Sequence, residues 1–358
     1  MTSDTYGVAT EMQNVGDKEG FKIYSTNRLG ECSDKLPEFS EDTEDFWAQD
    51  MWMIINKKLL TSKFNKVSAA IKKSFNLSYD NAQYNIFEKI KNLSSEKSHN
   101  DFEKKYHIAG GNVFIVKGKY GDELLIGQDE LETFNICQVK SMFGCGKVTV
   151  LPQMDFHLDL FIRPLDNRKI LLSDDKKTLE ILQQGLRKVI NYTTTHPESR
   201  DEYLKIIDRF INIQASFETS IDINNYAKAD DVAHVLKKKG FDVIRVPGRL
   251  YTASNYFDDG RSEISYFCNY MNANVLRNKD NELVYITNKS MIDEMLGLTP
   301  EISKEIGFSF EKAFLDSISH YVKNEHVYFI EGKDDFVKKE MLYCYQGGIH
   351  CATTEIPE

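Results

Sequence analysis

Apolar positions change their spacing several times along the chain, and each spacing predicts an element. The run Phe46–Ile55 (FWAQDMWMII) is almost continuously apolar, broken by one acid, Asp50. Leu60, Phe64, Val67 and Ile71 then recur at helical intervals, and a Lys-rich helical stretch continues to about Lys105. Asn112–Lys117 and Glu123–Gly127 read as a hairpin turned at Gly118–Gly121. Val148–Leu151 and Leu158–Ile162 read as strands flanking Gln153–His157.

Beyond these, Leu179, Leu182, Leu186 and Val189 mark one amphipathic helix, and Leu204, Ile207 and Phe210 a second. A helix at Asp231–Lys239 stops at Gly240 and leads into a strand, Asp242–Val246, closed by Pro247. Strand pairs follow at Ile264–Leu276 and Leu283–Thr287, then a helix over Ile302–Val322 and last strands at Val327–Ile330 and Met341–Tyr345. Strand–helix alternation of this kind predicts an α/β fold. Residues 1–40 are polar and punctuated by Gly7, Gly16, Gly20, Gly30 and Pro37. They read as a loosely structured lead-in with a short strand at Phe21–Tyr24, and 41–358 as one domain with helical insertions near 59–105 and 176–216.

Composition narrows the class. The 22 Phe and 18 Tyr in 358 residues supply ample core material. With 45 Lys and Arg against 55 Asp and Glu, the net charge is −10, which disfavours a nucleic-acid footprint and suits a cationic ligand or basic partner. No apolar run reaches the roughly 18 residues of a membrane helix, and the first residues lack a secretory signal pattern, so a cytoplasmic location is expected. The six cysteines form no C-x-x-C pair, so reduced thiols are the default.

Three segments place a titratable group beside an apolar run: Trp47–Trp52 (WAQDMW), Phe156–Phe161 (FHLDLF) and Gly347–Pro357 (GGIHCATTEIP). Alone, each has an ordinary explanation. Asp50 fits a strand-end carboxylate, His157 and Asp159 a surface pair or a weak metal-ligand set, and Cys351 a buried structural thiol. On a strand, His157 and Asp159 share one face while Phe156, Leu158 and Leu160 take the other. Together the four side chains form a nucleophilic set. A thiolate attacks an electrophilic carbon, and a histidine pairs with it and moves protons. Two further carboxylates suit a planar cation with N–H donors on several edges, and guanidinium is such a cation.

The order of these motifs resembles the guanidine-modifying, or pentein, superfamily, nearest to the agmatine deiminase and bacterial-type peptidylarginine deiminase family. The residues that carry the resemblance are Trp47-Ala48-Gln49-Asp50, Gly110-Gly111-Asn112, His157-Leu158-Asp159 and Gly347-Gly348-Ile349-His350-Cys351, with a further echo in Ser265–Leu276 (SYFCNYMNANVL). The resemblance spans about Phe46 to Pro357. It implies a five-bladed α/β propeller of ββαβ modules around a pseudo-five-fold axis. It also implies a deiminase with Cys351 as nucleophile, His157 as general acid and base, and Asp50 and Asp159 as guanidinium clamps. Trp47 and Asn112 join the clamps in substrate binding. The substrate would be a guanidinium-bearing small molecule or a protein arginine, with no metal or organic cofactor.

Two departures stand out. Ala109 replaces the Glu that usually precedes the Gly-Gly in agmatine and arginine deiminases, and Met51-Trp52 replace the Gly-Pro that commonly follows the Trp-x-x-Asp. An amidinotransferase, with an amine as second nucleophile, and a catalytically silent binding module are the alternatives. A papain-like or transglutaminase arrangement is disfavoured because Cys351 follows the histidine in the chain. Arg163 and Arg249 are candidate receptors for a substrate carboxylate, and His350 reads as structural.

Overall fold

The computed structural model describes residues 3–21, 25–26, 32–33, 52–55, 58–61, 78–79, 108, 110–118, 121–132, 134–166, 168–197, 200–224, 226–255, 262–332, 337–338, 342 and 348–351. Trp47, Asp50, Ala109 and most of the 59–105 insertion lie outside them.

The chain opens with helix α1 (Ser3–Glu19) and a short antiparallel pair, β1 (Ser25–Thr26) and β2 (Cys32–Ser33). A recurring unit follows. β3 (Trp52–Ile55) and β4 (Lys58–Thr61) pair antiparallel, and β5 (Ser78–Tyr79) joins β4 in parallel. β6 (Val113–Gly118) and β7 (Gly121–Gly127) form the next hairpin, with Val113 opposite Ile126 and Gly118 opposite Gly121. Helix α2 (Ile136–Phe143) then returns the chain so that β8 (Lys147–Leu151) runs parallel to β7. A parallel neighbour cannot be reached by a tight turn, so each such unit needs a crossover. Sequence-local signals set the ends of α2. Asn135 and Gln138 form a reciprocal capping box, and Gly144, at φ 65°, takes the left-handed stop.

The third unit joins β9 (Ile162–Asp166) and β10 (Lys169–Ser173). Three helices, α3 (Asp175–Thr195), α4 (Arg200–Ile223) and α5 (Ala229–Lys238), cross to β11 (Asp242–Val246), parallel to β10. β12 (Arg249–Asn255) and β13 (Ser262–Asn269) form a separate two-stranded sheet. The last unit pairs β14 (Asn274–Arg277) with β15 (Leu283–Asn288). Helices α6 (Ile292–Leu296), α7 (Pro300–Ile306) and α8 (Phe310–Ile318) then lead to β16 (Val327–Ile330), parallel to β15. The architecture is mixed α/β built from small sheets, four of which repeat antiparallel hairpin plus parallel third strand.

One core joins α3, α4 and α8 to the strands through Leu182, Val189, Phe210, Phe217, Tyr251, Tyr266 and Phe314. The α3–α4 approach is close because Gly185 has no Cβ; one there would stand 2.7 Å from Phe210 and Phe308. A second core, with Leu125, Leu158, Phe161, Leu172, Val232 and Leu236, lies under the segment that carries His157.

Several expectations change. The lead-in contains helix α1, tied down at its end: Glu19 is buried, accepts from Asn278 at 2.9 Å and from the Tyr328 hydroxyl, and pairs with His326 at 2.9 Å. Of the short strand expected at Phe21–Tyr24, Phe21 lies in coil and the rest falls outside the described residues. Leu60 belongs to strand β4, so the helical spacing expected from it does not begin there. The strand expected over Leu158–Ile162 is a 3-10 turn, Leu158–Leu160, before β9. Ile264–Leu276 is broken at Tyr270–Ala273 between β13 and β14. Ile302–Val322 is two helices, because Gly307 at φ 64° ends α7 and the Ser309 side chain caps α8. Of the strand expected at Met341–Tyr345, Leu342 lies in a helical turn, as do Val337 and Lys338 before it, and the rest falls outside the described residues.

Candidate active site

The site is assembled from four chain segments, and glycines set how closely they approach. The turn Gly110–Asn112 precedes β6. A Cβ on Gly111 would stand 2.7 Å from Nδ1 of His157 and 2.9 Å from Oδ1 of Asp159, so both groups border the space that this glycine leaves. Asn112 then holds the facing turn: its Oδ1 accepts from the Leu158 amide at 3.1 Å, and its Nδ2 donates to Glu130 at 3.0 Å. The buried Asn112 therefore acts as the buttress of the turn that presents Asp159.

His157 is extended (φ −129°, ψ 147°), and its ring lies 4.7 Å from that of Phe156. The 3-10 turn then drives Asp159 inward, to 0% exposure. Oδ2 of Asp159 accepts from Nδ1 of His350 at 2.8 Å, from Nδ2 of Asn272 at 3.0 Å and from the Cys351 thiol at 3.2 Å. Its Oδ1 is buried and has no hydrogen-bond partner among the described residues. Burial opposes ionisation of this carboxyl. The hydrogen bond from His350, with the nearby charges of His157 and Arg163, outweighs it and holds the group below the usual carboxylate range.

Asn272 is the hub that sequence reasoning did not single out. Its Nδ2 donates to both Asp159 and, at 3.0 Å, Cys351 Sγ. Its Oδ1 accepts the backbone amides of His350 at 2.9 Å and Cys351 at 3.3 Å. Both donors and both lone pairs of the amide are thereby used. Asn288 supports it, donating to the Asn269 and Asn272 carbonyls at 2.7 and 2.9 Å and accepting the Ile349 amide at 2.9 Å. A Cβ on Gly348 would meet Oδ1 of Asn288 at 2.5 Å and Oδ1 of Asn272 at 2.8 Å, so the cysteine turn docks only with glycine there. The visible signal was the density of asparagines in SYFCNYMNANVL.

His350 also belongs to the site. It is 5% exposed, and burial, followed by the charge of Arg163, pushes its imidazole down to about 4. The site therefore holds Cys351, Asp159, His157, Asn272 and His350 in one neighbourhood. Both candidate carboxylate receptors are buried and engaged within the protein. Arg249 is 1% exposed and bound to Asp155 at 2.8 Å and Asp175 at 3.2 Å, while buried Arg163 donates to the Met271 carbonyl at 3.1 Å. Among the described residues no group of three His, Cys, Asp or Glu side chains is arranged to hold a metal ion.

No family model and no curated protein matches the chain. Among solved structures, the C. jejuni agmatine deiminase is similar at 16% identity and a TM-score of 0.42, over 88% of this chain and 73% of that one. A cysteine-to-serine variant of agmatine deiminase from C. jejuni, with substrate bound, is similar at 15% identity and a TM-score of 0.39, over 88% and 74%.

Proposed function

We propose that this protein is a cysteine-dependent hydrolase of a guanidinium group, a deiminase acting on an arginine-like substrate. The observation that supports it best is Asp159: one carboxylate oxygen is tied to the Cys351 thiol, and the other is buried, without a hydrogen-bond partner among the described residues, and beside His157. A buried anionic acceptor left open next to a nucleophile suits a cation with in-plane N–H donors.

In this reading Asp159 and Asp50 clamp the guanidinium and hold its carbon over Cys351, and Trp47 joins them in substrate binding. The Cys351 thiolate adds to that carbon. The C–N bond to one terminal nitrogen breaks, and ammonia leaves with a proton from His157. Water, activated by His157, then attacks the covalent thiouronium. The C–S bond breaks, the thiolate is regenerated and a urea-type product leaves. Asn272, donating to Sγ, steadies the sulfur wherever it carries negative charge. The repeated hairpin-plus-parallel-strand units fit a five-bladed ring of ββαβ modules, with the two-stranded β12–β13 sheet as one reduced blade. A cytosol-like reducing compartment suits a reactive thiol that must stay free.

The test is ammonia release from agmatine, free arginine, a peptidyl arginine and a methylated guanidine, with Cys351→Ala as the blank. Cys351-dependent ammonia from at least one of the four is expected. None from any, with the protein folded, overturns the reading.

A further inference from the structure

We propose that Arg163 is a positioning residue of this site: its buried guanidinium fixes the turn that presents Asn272 and sets a permanent positive charge beside the His350–Asp159 pair. A fixed cation beside a site proposed to bind cations is at first sight a liability, and its placement shows what it does there.

Arg163 lies on β9, just past the 3-10 turn that carries Asp159, and is 3% exposed. Its Nε donates at 3.1 Å to the carbonyl of Met271, the other half of the peptide bond that supplies the Asn272 nitrogen. Its guanidinium lies 4.7 Å over the ring of Phe114 on β6. The same Phe114 ring is 5.6 Å from that of His350, tilted by 34°. Arg163 thus links β6, β9 and the β13–β14 turn, three of the segments around the cysteine.

Charge follows from this placement. An arginine side chain stays protonated throughout the working pH range. Among the described residues, the groups facing His350 include Asp159 and His157 from the β8–β9 segment, Arg163 from β9, Asn272 from the β13–β14 turn and Cys351 next in chain. Asp159 favours a charged imidazole; burial, Arg163 and His157 oppose it and prevail. Near neutrality His350 is therefore an uncharged donor to Oδ2, and Asp159 keeps its whole negative charge for whatever meets Oδ1. Were His350 protonated, the protein's own imidazolium would neutralise the clamp. Burial and Arg163 together exclude that internal competitor.

The assignment of a guanidinium ligand to Oδ1 rests on the function proposed above, whereas the charge-setting role does not. The experiment separates them. His350 is titrated by NMR in the folded parent, in Arg163→Gln and in Arg163→Lys. In parallel, Cys351 is labelled with haloacetamidine, a guanidinium-like electrophile, and with neutral iodoacetamide between pH 5 and 8. The parent midpoint should lie near 4. Arg163→Gln should raise it by at least one pH unit and lower the haloacetamidine preference at pH 5–6 about tenfold, with recovery at pH 8. Arg163→Lys, which keeps the charge, should follow the parent in both readouts. A parent midpoint near 6.5, an unchanged midpoint in Arg163→Gln, or a Lys variant that titrates like Gln overturns the proposal; should Arg163→Gln fail to fold, Arg163→Met, which keeps an apolar stem over Phe114 without the charge, is titrated in its place against the same outcomes. If no guanidinium compound is hydrolysed but the titration shifts as stated, the role of Arg163 stands and the deiminase reading falls.

Discussion

The Cys351 thiol donates to the Asp159 carboxylate, Sγ to Oδ2 3.2 Å, and the two atoms share one donor, Nδ2 of Asn272, which stands 3.0 Å from each. The proposed nucleophile and clamp are therefore set by one side chain. Moving Asn272 moves both, and any ligand that draws the carboxylate away changes the surroundings of the sulfur.

Asn272→Ala should accordingly be costly in two ways. It orphans the buried amides of His350 and Cys351, each worth about 1–3 kcal/mol, so a loss of about 2–6 kcal/mol in urea unfolding is expected. Asn272→Asp keeps the acceptor for those amides but sets a carboxylate oxygen against both Asp159 and Sγ. It should retain more stability than the alanine variant and still lose on the order of 10²-fold in kcat/KM. Equal activity in parent and Asp variant would show that Asn272 does no more than hold the turn.

The clamps make a second prediction. Asp159→Asn preserves shape but removes the charge, whose Oδ1 has no hydrogen-bond partner among the described residues. Asp159→Asn and Asp50→Asn should each cost on the order of 10²-fold or more in kcat/KM on the preferred guanidinium substrate, because each weakens a charge-assisted contact to a cation. Steady-state kinetics on every accepted guanidinium compound is the check. A variant with near-parent values on all of them removes that residue from the clamp.

These two predictions differ in how far the sequence reveals them. That Asp159, His157 and Cys351 meet in one neighbourhood was legible, because residue type and order along the chain point to it. Asn272 and Arg163 were not, since one asparagine among several, or one arginine after an apolar turn, gains meaning only from a partner about 80–110 residues away. The 3-10 turn at Leu158–Leu160 was missed for a related reason. Leu158 and Phe161 both point into the second core, a spacing of three that alternation cannot express. Helix α1 was hidden by its polar composition, and what holds its end, Glu19 against Asn278, His326 and Tyr328, lies at the other end of the chain. Hairpins and α/β alternation were legible because they depend on local pattern.

The third prediction concerns acid. In the unfolded chain the imidazole of His350 takes up its proton near pH 6.5, and in the folded protein only near about 4. Between these values the unfolded state binds more protons, so stability falls as pH drops through this window. The full gap corresponds to about 3 kcal/mol. Urea midpoints at pH 7, 5.5 and 4.5 should decline more steeply in the parent than in His350→Gln, which has nothing to titrate there. Parallel declines would mean that His350 is not held neutral by the fold.

The last prediction tests whether close approach, and not only residue chemistry, makes the site. Gly111 and Gly348 lie in different segments, but a methyl group on either would strike the same cluster. At Gly111 it meets His157 Nδ1 at 2.7 Å and Asp159 Oδ1 at 2.9 Å, and at Gly348 it meets the amides of Asn288 and Asn272. Neither glycine needs a left-handed backbone, so the penalty of alanine is steric and not conformational. Overpacking of this kind costs about 1–3 kcal/mol, which a domain of this size survives. Gly111→Ala should displace the proposed acid–base and clamp, lowering kcat/KM by about 10²-fold while iodoacetamide still labels Cys351. Gly348→Ala should displace the cysteine turn itself, so its labelling should fall together with activity. Both variants should unfold cooperatively within a few degrees of the parent. If Gly111→Ala keeps parent activity, Oδ1 of Asp159 and Nδ1 of His157 do not need the space between them, and the site must bind its ligand elsewhere.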